Sequence, residues 1–247
     1  EMFYPNYETY QWVGENKYKQ IAEFGNGTVE TQWKRKNGEI IDVLISSTPI
    51  IPGQLSKGVT FIATDITNRK REEKILQAQV RLFEMVETRS KTELISTALD
   101  EIEKLTTSSI SFFHTYNEAK KEVSFGHWSE STIHKFGNLL IPQTTNYSID
   151  QAGIWADSIR KRKPFIYNDY INLDHKKGLP KNHIKINRIL TIPIIRNKSV
   201  VAVIGVGNKE FDYHVSDIEI ANRLANLIWE VLERKNAEDQ IQKLSVG

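Results

Sequence analysis

The chain has 247 residues, 39% hydrophobic and 26% charged, with 33 lysines and arginines against 31 acids, a formal net charge of +2 and no cysteine. That length can hold two ordinary domains with real cores. The near balance of charge argues against nucleic acid as a partner, and no apolar run approaches the roughly 18–20 residues of a membrane span. Without thiols there is no disulfide, cysteine-ligated zinc, iron–sulfur cluster or thiol nucleophile, which fits a cytoplasmic location. The first residues, Glu1-Met2-Phe3-Tyr4-Pro5, lack the basic and apolar regions of a signal peptide and do not start with methionine, so a piece of a longer polypeptide is expected.

In chain order, residues 1–27 read as one helix with Tyr10, Val13, Tyr18 and Ile21 as core positions. "TVETQWKRKNGEIIDVLISSTPI" alternates apolar and polar residues on both sides of Asn37-Gly38, a hairpin signal. "IPGQLSKG" then turns into a third strand, "VTFIATDI". "TNRKREEKILQAQVRLFEMVETRS" follows as a charged helix capped by Thr67 or Asn68. Its narrow apolar stripe, Ile75, Leu76, Gln79, Leu82, Phe83 and Val86, suits pairing with another helix. The run from the Asn37-Gly38 turn to "TFIATDITNRKREE" resembles the C-terminal half of a PAS domain. The resemblance implies that Asp65 and Thr67 tie the last strand to the outgoing helix. It also implies that the family's first strands precede residue 1, so this block is not expected to hold a ligand in the family's usual way.

The second block opens on "TELISTALDEIEKL", an amphipathic helix with Thr92 as N-cap and Leu94, Ile95, Ala98, Leu99, Ile102 and Leu105 on its buried face. "SSISFFHTYN" and "EVSFGHW" read as paired strands around a turn at Asn117–Lys121. "IDQAGIWADSIRKRK" reads as a helix ending before Pro164, and "FIYN" as a short strand. The basic run Arg160–Lys163 is taken as a solvated helix end. "RILTIPIIRNKSVVAVIGVGNK" gives two strands about Arg196–Lys198. "SDIEIANRLANLIWEVLERKNAEDQIQKL" is a long helix, its first turn boxed by Ser216 and Glu219.

Helix, two strands, helix, strand, long loop, two strands, helix is an order similar to a GAF domain. "GIWADSIRKRKPFIYNDY" and "VVAVIGVGNKEFDYHVSDIEIANRLANLIWEVLERK" resemble GAF modules of sensor kinases and cyclic-dinucleotide synthases. The fold class is thus α+β: a truncated PAS antiparallel sheet over 1–67, a linker helix over 68–90, and a GAF domain over 91–233 with a central antiparallel sheet flanked by helices. An outgoing signalling helix occupies 234–247. "RKREEKIL" and "RKNAEDQI" echo each other where each block hands on to a helix. The family's bilin-attaching branch needs a cysteine and is excluded, as is its cysteine-dependent reductase branch. Asn208, Lys209, Phe211, Asp217 and Glu219 echo the cyclic-nucleotide signature loosely, Ile218 interrupting the final acidic pair.

"DYINLDHKKGLPKNH", residues 169–183, places His175 and His183 eight apart with Asp169 and Asp174 nearby. Gly178 and Pro180 between them turn the backbone rather than align ligands, so no metal site is expected. No Gly-x-Ser-x-Gly elbow or phosphate-cradling loop accompanies them. The segment from Asn168 to Lys185 is too long and polar for a hairpin turn, and the GAF resemblance implies that it crosses the mouth of a pocket between the sheet and the helices. Trp128, Trp155, Asp169, Tyr170, His183 and Arg188 are then the ligand-binding candidates, the cofactor or ligand itself being unknown. Two readings stay open: a ligand pocket, or tryptophans filling the core while Asp169 pairs with Arg188 to pin the loop.

None of the six histidines fits a kinase phosphoacceptor pattern, and no cyclase motif is present, so no catalytic centre is expected in this segment. The expected role is the sensory and regulatory segment of a multidomain signalling protein, a sensor histidine kinase of a two-component system, with a downstream effector domain beyond residue 247. A spacer scaffold without a ligand and the regulatory segment of a diguanylate cyclase are the alternatives. A homodimer through helices is expected, with Leu224, Ile228, Val231 and Leu232 on the packing face.

Overall fold

A computed structural model describes residues 3–137, 146–173 and 184–245. The chain divides into two compact units, residues 1–74 and 75–247.

In the first unit, α1 (Tyr7–Phe24) is capped by the Asn6 side chain, which accepts the Thr9 N–H at 2.8 Å. It ends at Gly25, whose φ of 78° lets its N–H reach the Ile21 carbonyl at 2.9 Å. The helix lies on an antiparallel sheet of β1 (Gly27–Lys34), β2 (Ile40–Pro49) and β3 (Val59–Asp65), in that order. Val13, Val29, Val43 and Ile45 form the core. Ile21 is buried as expected, but Tyr10 and Tyr18 are not core residues. Tyr10 instead joins Tyr4 and Tyr7 in a surface cluster, and the Lys17 ammonium sits 4.8 Å from the Tyr18 ring. At the hairpin, Gly38 adopts φ 89° while the Arg35 N–H donates to the Glu39 carbonyl at 2.8 Å.

Helix α2 (Thr67–Met85) leaves β3 through a side-chain knot. The Thr67 N–H donates to Asp65 Oδ1 at 2.9 Å, and Thr67 Oγ1 accepts the Asp42 N–H from β2 at 3.0 Å. Hydrogen bonds to Asp65 from the Thr67 side chain and N–H, with the Arg35 guanidinium at 2.9 Å, hold its carboxyl below the usual range.

The second unit is built on a six-stranded sheet in which every pair is antiparallel, ordered β6 (Asn146–Ser148), β5 (Glu122–Trp128), β4 (Ile110–Asn117), β9 (Ser199–Gly207), β8 (Ile189–Arg196), β7 (Phe165–Tyr167). One face carries Phe113, Leu190, Ile192, Ile194, Ala202, Ile204 and Val206. These pack against α3 (Lys91–Thr106), α6 (Val215–Ser245) and the Ala78, Leu82 and Val86 side chains. The α+β fold, a central antiparallel sheet flanked by helices, is the expected one. Ser111, Ser129 and Thr132 hydroxyls converge on Oε1 of the buried Glu103, fastening α3 to α4 (Glu130–Phe136).

Several local expectations are corrected. Ser90, not Thr92, caps α3, in a reciprocal box with Glu93. Helix α6 starts at Val215, where the Asp217 carboxylate accepts the His214 N–H at 2.8 Å, and Glu219 is exposed. The segment read as one helix over 149–163 is two 3₁₀ turns, Ile149–Gln151 and Ile154–Ala156, followed by the short α5 (Asp157–Lys161). Arg160 is the reason. Its guanidinium collects the carbonyls of Ile149, Ala152 and Gly153 at 2.6–3.1 Å, so these groups are satisfied outside a continuous helix. The basic run is therefore not simply solvated, since Arg162 also pairs with Glu118 at 2.5 Å. Helix α4 and strand β6 have no counterpart in the sequence reading.

The largest correction concerns the proposed dimer face. Leu224, Ile228, Val231 and Leu232 are 0–9% exposed and share one core with Leu82, Leu94, Ile95 and Ala98 within the same chain. They are core, not seam. The outward line of α2 carries Leu76, Val80 and Phe83 instead, 48–61% exposed at i, i+4 and i+7. Among the described residues no helix is long and apolar enough to cross a membrane.

Candidate functional site

Strand alternation sends Phe113 to the helix-covered face and Ile110, Phe112 and His114 to the opposite one. On that second face an aromatic cluster is assembled from four parts of the chain. The His114 imidazole stacks on Phe112 at 4.8 Å between centroids, and Trp155, from the 3₁₀ turn after β6, meets both edge-on at 5.2 and 5.9 Å. Trp128 closes the far side 5.8 Å from Phe112, and Tyr147 approaches Trp155 at 6.5 Å. Tyr170, Ile184, Ile186 and Ile189 complete the buried part, with Ile154, Tyr167 and Leu173 against it. Such edge-to-face packing is the favoured geometry of aromatic pairs.

Of the expected ligand-site residues, Trp128, Trp155 and Tyr170 come together here. Asp169 does not. It is exposed and its carboxylate accepts the Asn172 amide at 2.9 and 3.0 Å. Arg188 donates to Asp212 at 3.0 Å, so the Asp169–Arg188 pair of the second open reading is not formed. His183, with Asp174, His175, Gly178 and Pro180, lies outside the described residues. Among the described residues no group of three histidines or acids is placed to hold a metal ion.

The sequence reading missed His114, Phe112 and the frame around Trp155. Burial pushes the His114 imidazole down to about 3, with a smaller push from His127 and an opposing backbone bond to Phe113. The ring is therefore neutral at ordinary pH. Its Nδ1 lies 3.4 Å from the Gly126 nitrogen, whose N–H points to it. Trp155 is held by its neighbours: Arg160 grips the carbonyls around it and pairs with Asp157 at 2.8 Å. Asp157 in turn accepts the Tyr167 hydroxyl at 2.8 Å. Burial, and then that bond, raise the Tyr167 hydroxyl above its usual range. The signal for His114 was its place two residues after Phe112 on one strand. No local pattern announces Arg160, because its carbonyl partners precede it by 7 to 11 residues.

Phe112 can lie flat on the sheet only because Gly205, its partner on β9, has no side chain. A Cβ there would come within 2.8 Å of Phe112 Cε2 and closer still to two other ring atoms. Gly205→Ala is expected to destabilise the chain by about 1–3 kcal/mol through overpacking. The double variant with Phe112→Leu should lose less than the sum of the two single changes in urea unfolding. Strict additivity would mean that the ring does not rest on this glycine.

Asn208, Lys209 and Asp217 have protein partners. Asn208, at φ 59°, accepts the Asn187 N–H at 2.8 Å and donates to the Lys185 carbonyl at 2.8 Å. Lys209 and the buried Asp217 pair at 2.8–2.9 Å, while Phe211 is 63% exposed.

The sheet order, the helix layer on one face and the covered aromatic cluster on the other define the class of module. A profile of the GAF domain matches residues 88–233, and the chain belongs to the GAF domain family. The chain is similar to the methyl sulfide methyltransferase-associated sensor of Methanosarcina acetivorans, with 32% identity over 241 residues. That alignment covers 94% of this chain and 24% of the relative, so the chain spans about a quarter of the relative's length. Among solved structures, it resembles the GAF domain of a phosphoenolpyruvate-protein phosphotransferase from Coxiella burnetii, with a TM-score of 0.53, 9% identity, and 68% of this chain and 98% of that one covered. It also resembles the free methionine-R-sulfoxide reductase of Neisseria meningitidis in complex with its substrate, at 0.51, 9%, 68% and 91%. Identities this low speak to the fold alone.

Proposed function

We propose that this chain is a sensory and regulatory segment of a larger signalling protein, in which the aromatic cluster of the second unit responds to a small ligand. The observation that carries the reading is the convergence of Phe112, His114, Trp128 and Trp155 on the sheet face opposite the helices, with a neutral imidazole among them. Such a site suits an apolar or aromatic molecule with one polar group. The name of the Methanosarcina relative, a sensor, supports the same class of role. On this reading the output is that of a sensor histidine kinase or, as the alternative, a diguanylate cyclase, carried by a separate effector domain. The first unit is the C-terminal part of a PAS domain, and Asp65 and Thr67 are its signalling junction. A second copy pairs along α2 through Leu76, Val80 and Phe83, whose spacing matches the seam of two like helices.

A thermal-shift screen of small metabolites tests the ligand. A binder raises the melting temperature, because binding the native state adds RT ln(1 + [L]/Kd) to stability, about 2.7 kcal/mol at a hundredfold excess over Kd. Trp155→Ala is expected to abolish the shift. A broad library with no hit favours the scaffold reading, in which Trp128 and Trp155 simply fill the face.

A further inference from the structure

Three segments that are distant in sequence meet beside the aromatic cluster, and side-chain amides bind them into one knot. The first is Asn168–Tyr170, which follows β7. The second is 184–188, which leads into β8. The third is the connection 208–214, which joins β9 to the first turn of α6. The Tyr170 N–H donates to the Asn187 carbonyl at 2.9 Å, joining the first to the second. Asn208 joins the second to the third, through Asn187 and Lys185, and its own N–H donates to the Arg188 carbonyl at 2.9 Å. Asn168 joins the first to the third by a reciprocal pair: its Oδ1 accepts the Tyr213 N–H at 2.8 Å and its amide donates to the Tyr213 carbonyl at 3.1 Å. The ring of bonds is closed.

Two features give this knot a direction. Tyr170, Ile184 and Ile186, which belong to the first two segments, are buried in the aromatic cluster. Tyr213 and His214, at the end of the third, open α6. The Tyr213 hydroxyl bonds Ser108 at 2.7 Å just past the end of α3, and the His214 N–H is held by Asp217 in the first turn of α6. These bonds link the residues that contact the cluster to the first turn of the long helix, where the Tyr213 ring is itself part of the helix-side core.

We propose that Asn168 and Asn208 are positioning residues that couple the aromatic cluster to the start of α6. The coupling rests on the sensory reading for its purpose. It is nonetheless a property of the unliganded chain and is tested on it, so a failed ligand screen would leave it standing. The experiment is amide hydrogen exchange on the full chain, comparing the unaltered protein with Asn168→Ala and Asn208→Gly. Glycine at 208 keeps the positive φ while removing both side-chain bonds.

In each variant the amides of Tyr170, Asn187, Tyr213, Asp217 and Ile218 are expected to exchange at least tenfold faster, together. Those of Val203 and Ile204 in β9 and Ile102 in α3 should stay protected. The double variant should add little to either single one. Faster exchange confined to Asn187 and Asn208 in one variant, or to Tyr213 in the other, with Asp217 and Ile218 unchanged, would overturn the proposal. Should Asn168→Ala fail to fold, Asn168→Asp keeps the acceptor for the Tyr213 N–H and loses the donor. It should show the same five amides in a milder form, and its failure to move Asp217 and Ile218 would be equally decisive.

Discussion

Glutamate in place of Leu224 is expected to unfold the second unit, not to separate two copies. Leu224 is fully buried, and with Ile228, Val231 and Leu232 it belongs to one core with Leu82, Leu94 and Ile95 inside one chain. A carboxylate there would lack both water and a partner, a cost of several kcal/mol. The milder Leu224→Ala should cost about 3–5 kcal/mol in urea unfolding, since the packed helices cannot fully collapse onto the space left behind. The contrasting variant is Leu76→Glu with Phe83→Glu. Both side chains are more than half exposed, so stability should change by no more than about 1 kcal/mol while light scattering moves from dimer to monomer. A chain that tolerates Leu224→Ala without loss would refute the core assignment. A dimer that survives the α2 changes would refute the α2 seam.

His114 should make the chain acid-sensitive well above the carboxylate range. In the unfolded chain its imidazole takes up a proton near pH 6.5, whereas in the fold burial delays protonation to about pH 3. Between those values the unfolded state binds more protons than the native one. Stability therefore falls as pH falls through this window, by up to about 1.4 kcal/mol per pH unit, and is fully present only above the unfolded value. His127, also lowered by burial, adds in the same direction. His114→Phe keeps an aromatic ring on Phe112 and removes the titration. Between pH 6.5 and pH 5 the unaltered chain should lose about 1.6 kcal/mol more than the variant in urea unfolding. Equal losses would mean that the imidazole is solvated or already charged in the fold.

The fold was legible where local signals and packing agree. Asn37-Gly38 marks a hairpin because glycine accepts a positive φ, and the apolar run of β9 marks a strand covered on both faces. Legibility failed where a distant group decides local structure. Arg160 breaks the expected 149–163 helix by taking its carbonyls, and no propensity of those residues foretells that. The apolar line of α6 was real, but periodicity reports that a face is buried and not against what. Trp128, Trp155 and Tyr170, named from the pocket that the GAF resemblance implies, do meet in one cluster. Asp169 and Arg188 bond to Asn172 and Asp212, partners that charge beside a loop does not foretell.

Helix α6 runs without interruption through 31 residues, Val215–Ser245, or about 46 Å at 1.5 Å per residue. It leaves the packed layer after Leu232. A single rod of this kind carries torsion as well as displacement, so the angular phase of whatever is attached beyond it is set by the residue count. Two residues inserted after Glu233 would turn any attached group by about 200°, while seven would return it to within about 20° of its starting orientation.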